Sequence, residues 1–134
     1  MARFIDVTDA KLKIPANAAV MEYIGRTNPF AHADLGARLV AFGKGIAGAH
    51  AYCPDYDAFA YVVLHNDANV IFATAWGMSK IALRLPKSAE AMADGGGRSE
   101  IGEDWLSFVA IPEDRGTVLG TWCELAFRHA QGLR

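Results

Sequence analysis

A chain of 134 residues suits one domain and can bury roughly two thirds of the surface its unfolded form exposes. With 52% hydrophobic and 21% charged residues it has the apolar material a core needs and too little charge for a disordered chain. The formal net charge of −2 denies the chain the overall basic excess that phosphate neutralisation requires, leaving at most a local basic patch.

No apolar run reaches the eighteen or so residues that span a bilayer, so no membrane association is expected. The opening Met1-Ala2-Arg3-Phe4-Ile5-Asp6 meets an acid before a signal-type stretch develops, which points to a cytoplasmic location. From the amino end, Pro15 suits a first helical turn and is followed by Ala16, Ala18, Ala19, Val20, Met21, Tyr23 and Ile24, with Gly25 as a stop. Asn28-Pro29 marks a turn. Leu35, Leu39, Val40 and Phe42 then recur at helical spacing until Gly43-Lys44-Gly45 breaks the pattern. Gly36 inside that helix costs about 1 kcal/mol relative to alanine unless it marks a close packing contact.

From Ala49 onward the composition turns to β-branched and aromatic residues. Phe59 to His65 and Val70 to Ala75 flank the polar loop Asn66-Asp67-Ala68-Asn69, the pattern of an antiparallel hairpin. Lys80 to Leu85 alternates, placing Ile81, Leu83 and Leu85 on a buried face and Lys80, Ala82 and Arg84 on a face at least partly wet. Pro86 to Asp94 reads as a short helix, with Gly95-Gly96-Gly97 as its flexible exit. Trp105 to Ile111 reads as a strand ended by Pro112. In the closing helix, Val118, Trp122, Leu125 and His129 follow one ridge, and Leu119, Cys123, Ala126 and Ala130 the next. Glu124, Arg128 and Gln131 face away. The expected fold is α+β over residues 1–134 as a single domain. It has an antiparallel sheet covered by helices, two of them N-terminal, and a C-terminal amphipathic helix.

Three segments carry a family resemblance: Asp57-Ala58-Phe59-Ala60-Tyr61, Ser79-Lys80-Ile81-Ala82-Leu83-Arg84-Leu85-Pro86, and Gly102-Glu103-Asp104-Trp105-Leu106-Ser107-Phe108. With the final helix around Trp122, they resemble the YjbR family of small bacterial proteins and, more distantly, the N-terminal domain of the competence regulator TfoX. The match covers roughly the last two thirds of the chain. The resemblance implies a helix-over-sheet domain without an established enzymatic site, for which DNA binding has been proposed in some relatives. Lys80, Arg84, Lys87 and Arg98 are the conspicuous basic positions for such a partner.

Catalytic and metal signatures are sparse. His50 and Cys53 have a spacing at which two ligands could meet one metal, with Asp55 and Asp57 as further donors, but the usual paired zinc spacings are absent and no metal or cofactor is assigned. A cysteine nucleophile would need a histidine beside Cys53 or Cys123, and burial explains Cys123 on an inner helix face better. Ser79, Ser88, Ser99 and Ser107 lie in no nucleophile elbow. Glu100, Glu103 and Asp104 read as a solvated loop, and Glu113-Asp114 as acids at a helix entry. Gly43-Lys44 is followed by Gly45, where a phosphate-binding loop needs serine or threonine.

Most aromatic residues belong to the core. Trp76 stands apart, in the turn Ala75-Trp76-Gly77-Met78-Ser79 beside the strand that carries Arg84, and an exposed aromatic near a cation suits a ligand or partner surface. The reading that follows is a non-enzymatic binding or regulatory domain, with no catalytic residue. Tyr56, His65, Trp76, Arg84 and Arg98 are its candidate binding residues, and its partner is an unidentified ligand or protein, with nucleic acid as a DNA-related version. The alternatives are a small metal protein or enzyme using His50, Cys53 and nearby acids, and a structural homo-oligomer such as a dimer paired through an exposed sheet face.

Overall fold

A computed structural model describes residues 11–27, 31–52, 61–77, 79–86, 89–93, 96–109 and 116–133. The chain enters through a tight turn of 3-10 helix at Pro15–Asn17, and proline opens it because that position needs no backbone donor. Helix α1 follows over Ala18–Thr27 and α2 over Ala33–Lys44. Gly25 therefore does not stop the first helix: among the described residues no neighbouring atom lies within 4 Å of its Cβ position, and the helix continues two residues beyond it. Strands β1 (His50–Tyr52), β2 (Val62–His65), β3 (Ile71–Trp76) and β4 (Lys80–Leu83) form a consecutive meander. Helix α3 (Ala89–Ala93), strands β5 (Gly97–Arg98) and β6 (Leu106–Val109) and helix α4 (Gly116–Ala130) complete the order.

The fold is α+β; the described residues form one six-stranded sheet in the order β1-β2-β3-β4-β6-β5, antiparallel at every strand pairing among them. The strand at Gly97–Arg98 departs from the flexible glycine exit expected there. Gly97 pairs with Ser107, and Gly96 is seated where a Cβ would come 2.8 Å from the Ala91 carbonyl oxygen and 3.0 Å from Phe108.

Strand alternation sends the side chains into two cores, one on each face of the sheet. Val62, Leu64, Ala75, Ile81, Leu83, Leu106 and Phe108 pack beneath α2 and α4. Tyr61, Val63, Ile71, Ala82 and Trp105 pack against Leu12 and the α1 residues Val20, Tyr23 and Ile24. The wet face expected for Ala82 and Arg84 is therefore corrected: Ala82 is fully buried and Arg84 is 8% exposed, because the amino-terminal segment covers that side. Burying apolar residues on both faces stabilises the sheet by about 1.5–3 kcal/mol for each large side chain fully removed from water.

Register slips once. The pairing Leu64↔Ala73 is followed by His65↔Ile71, so Phe72 is the extra residue of a bulge. It joins the same core as Ala73 and meets Phe127 of α4 edge-on, with ring centroids 5.4 Å apart. On α4 the ridge Leu119, Cys123, Ala126 and Ala130 is fully buried, whereas Trp122 and His129 are half-buried and Leu125 is exposed.

Helix α2 approaches the sheet through two glycines seven residues apart, one helical face. A Cβ on Gly36 would lie 3.1 Å from Val62 Cγ2, and one on Gly43 would lie 2.9 Å from Leu64 Cδ2. Gly36 is thus a packing contact. Leu64 is fully buried and cannot swing aside freely. Gly43→Ala should destabilise the protein by about 1–3 kcal/mol through overpacking. Gly25→Ala, which meets open space, should stabilise it by about 0.5–1 kcal/mol. Denaturant unfolding of the two variants checks the opposite signs.

Candidate functional site

The two ends of the sheet differ in chemistry. At the end formed by the β2–β3 hairpin, Asn66 Oδ1 accepts from the backbone N–H groups of Ala68 and Val70 at 2.9 Å. Asn69 takes a left-handed conformation, φ 68°, which asparagine tolerates better than most residues. The hairpin loop is then gripped from both flanking layers. From the α1 side, buried Asn17 donates to the carbonyls of Leu12 (2.7 Å) and Asn69 (2.8 Å) and accepts from Ile71 N–H (2.8 Å). From the α4 side, Asn66 Nδ2 donates to Gln131 Oε1 at 2.9 Å.

Arg84 belongs to this polar end. Its Nε donates to Asp104 Oδ2 at 2.9 Å, its guanidinium donates to the Ile71 carbonyl at 3.3 Å, and its Cζ lies 5.5 Å from the centre of the Trp105 ring. His129 Nε2 stands 3.8 Å from the same Asp104 oxygen. Asp104, expected in a solvated loop, is instead half-buried and charge-paired. The outward, ligand-facing placement expected for Arg84 is corrected for the same reason: its donors are used inside the protein.

Trp76 sits elsewhere. It is the last residue of β3 rather than part of a turn, and it pairs with Lys80. Arg84 lies four residues beyond Lys80, just past the end of β4 and about 13 Å along the chain at the strand rise. Trp76 instead meets Tyr23 of α1, ring centroids 5.6 Å apart, and Arg26 covers Tyr23 at 5.5 Å. Burial and a hydrogen bond to Glu100 raise the Tyr23 phenol above its usual range, which tethers α1 to the segment before β6.

His65 is buried opposite Ile71, so it and Arg84 flank the same residue. Its Nδ1 lies 2.9 Å from the Asn66 carbonyl, and its ring stacks on His50 at 5.4 Å. His50 Nε2 lies 2.6 Å from Asp67 Oδ1. Among the described residues no group of three or more histidine, cysteine, aspartate or glutamate side chains is arranged to hold a metal ion. Cys53, Asp55 and Asp57 of the metal alternative, together with Tyr56, Lys87 and Glu113-Asp114, lie outside the described residues. Cys123 is a free, buried cysteine whose thiol is pushed up to about 12 by burial, which withholds the thiolate.

A cleft of about 630 Å³ opens between α3 and the β5–β6 edge. Met92, Arg98, Gly102, Glu103, Trp105 and Leu106 line it, with Ser99 beside them. Ser99 is buried and its Oγ accepts from Ile101 N–H at 3.2 Å, shaping the loop. Among the described residues, Arg98 is the one candidate binding residue that reaches this cleft. The cleft itself was missed in the sequence, where its glycines and acids read as a loop. Comparison with protein-family models finds no matching family, and comparisons with curated proteins and with solved structures find no significant match. No helix among the described residues is long and apolar enough to cross a membrane.

Burial is the main cause that lowers the His65 pKa from its usual 6.5, with Lys11 and His50 adding to it and Asn66 and Asp67 opposing. The folded protein then binds fewer protons at this site than the unfolded chain, so stability is complete above about pH 6.5 and falls as pH drops through that value. In unfolding measurements between pH 7.5 and pH 5, His65→Leu should show a shallower loss of stability than the parent. An unchanged slope would assign the pH dependence to other groups.

Proposed function

We propose that the chain is a non-enzymatic binding domain with a regulatory role, in keeping with its resemblance to YjbR-like and TfoX N-terminal proteins, and that it takes a small ligand in the cleft beside β5. The observation that carries this reading is Arg98. It lies on an edge strand, is exposed, has no ion-pair partner among the described residues and lines a cavity of a size typical for small-molecule sites. Supporting it, the neighbouring polar groups at the Leu83 end of β4 are already committed to one another, with Arg84 neutralised by Asp104.

Nucleic acid is the weaker partner for this surface. Counterion release needs cations that reach phosphates. Of the four conspicuous basic positions, Arg84 is buried, and Lys80 and Arg98 are the exposed ones among the described residues.

A thermal-shift screen of a small-molecule library against the parent and Arg98→Ala tests the reading. The variant should keep the parental unfolding temperature, as exposed positions usually do. It should lose about tenfold in affinity for a ligand found with the parent, the worth of one charge-assisted hydrogen bond. Unchanged affinity would move the binding site away from β5. Retention on duplex DNA that collapses with added salt would replace the small ligand with nucleic acid.

A further inference from the structure

The chemistry of the same cleft narrows the ligand. Trp105 is 1% exposed, and its indole N–H has no hydrogen-bond partner among the described residues. A buried indole usually finds an acceptor, because the group donates and cannot accept. One face of the ring is taken by Arg84. Trp105 and Gly102 both line the cleft, and a Cβ on Gly102 would lie 3.5 Å from Trp105 Cδ1, the ring carbon bonded to that nitrogen. The unsatisfied donor thus belongs to a residue of the cavity wall, which also carries a cation, Arg98, and an acid, Glu103, neither with an ion-pair partner among the described residues.

Resting on the binding reading above, we infer that the cleft takes a zwitterion with an apolar side chain, a molecule of the α-amino-acid class. Its carboxylate accepts from the Arg98 guanidinium and the Trp105 indole N–H, and its ammonium pairs with Glu103. Its side chain lies on Met92 and Leu106. A simple carboxylic acid would leave Glu103 unpaired beside a second anion, and a simple amine would leave both donors empty. Contact with the indole requires the cleft wall to give. Met92, unbranched and 39% exposed, supplies that freedom.

The test follows the Trp105 indole signal in the ¹H–¹⁵N spectrum of the full chain, one of three tryptophan indoles. The probes are L-phenylalanine, 3-phenylpropionate, which lacks the ammonium, and 2-phenylethylamine, which lacks the carboxylate. L-Phenylalanine should move the Trp105 signal saturably, and each truncated probe should bind at least about tenfold more weakly. Arg98→Ala and Glu103→Gln, both at exposed positions, should each weaken L-phenylalanine about tenfold while the rest of the spectrum stays in place. Equal binding of all three probes, or a Trp105 signal unmoved by L-phenylalanine up to its solubility, overturns the inference. If a library ligand of another class moves that signal, the cleft remains a binding site and only the zwitterion is wrong.

Discussion

The peptide groups of Ile71 are the point on which the three layers of this protein converge. Its N–H is held by Asn17 from the turn that leads into α1, and its carbonyl by Arg84 from the end of β4. Both side chains are buried, and a buried backbone group left without a partner costs about 1–3 kcal/mol. The bulge at Phe72 lies beside this residue. It turns the Phe72 ring into the α4 core while Ile71 keeps to the α1 core. One residue thus belongs to the sheet, is hydrogen-bonded by the amino-terminal layer, and adjoins the residue that anchors the carboxyl-terminal helix.

Arg84 extends that constraint toward the cleft. Its ion pair fixes Asp104 and its guanidinium lies over Trp105, so the segment that forms the back of the cleft is oriented from the polar end. Arg84 is almost wholly desolvated, whereas the Asp104 side chain is 38% exposed. The pair therefore falls between a surface bridge worth about 0–1 kcal/mol and a buried one, whose disruption costs about 3–5 kcal/mol. Structure and proposed function meet in this residue, which positions Trp105 without being free to touch a ligand.

Much of the architecture was legible from residue pattern. The hairpin around Asn66–Asn69, the alternating strand at Lys80–Leu83 and the inner ridge of α4 follow from local periodicity and turn chemistry, which tertiary contacts here reinforce. Alternation alone could not show that both faces of β4 are buried, because Ala82 is neutral and an arginine reads as a solvent residue until its partners are known. Asp104 lies twenty residues away in sequence, and the Ile71 carbonyl thirteen. Gly97 looked flexible because nothing local discloses a pairing with Ser107. For the site, Arg98 was identified from its charge, whereas Trp105 was assigned to the core. The signal on which its proposed role rests, a buried donor without an acceptor among the described residues, exists only in three dimensions.

Hydrogen exchange at the Ile71 amide tests the central constraint most directly. If the Asn17 side chain and the layers it joins hold this amide, it should exchange only through global unfolding, as slowly as the amide of fully buried Ala82 in mid-β4. Exchange of Ile71 through a local opening, well before Ala82, would contradict the account.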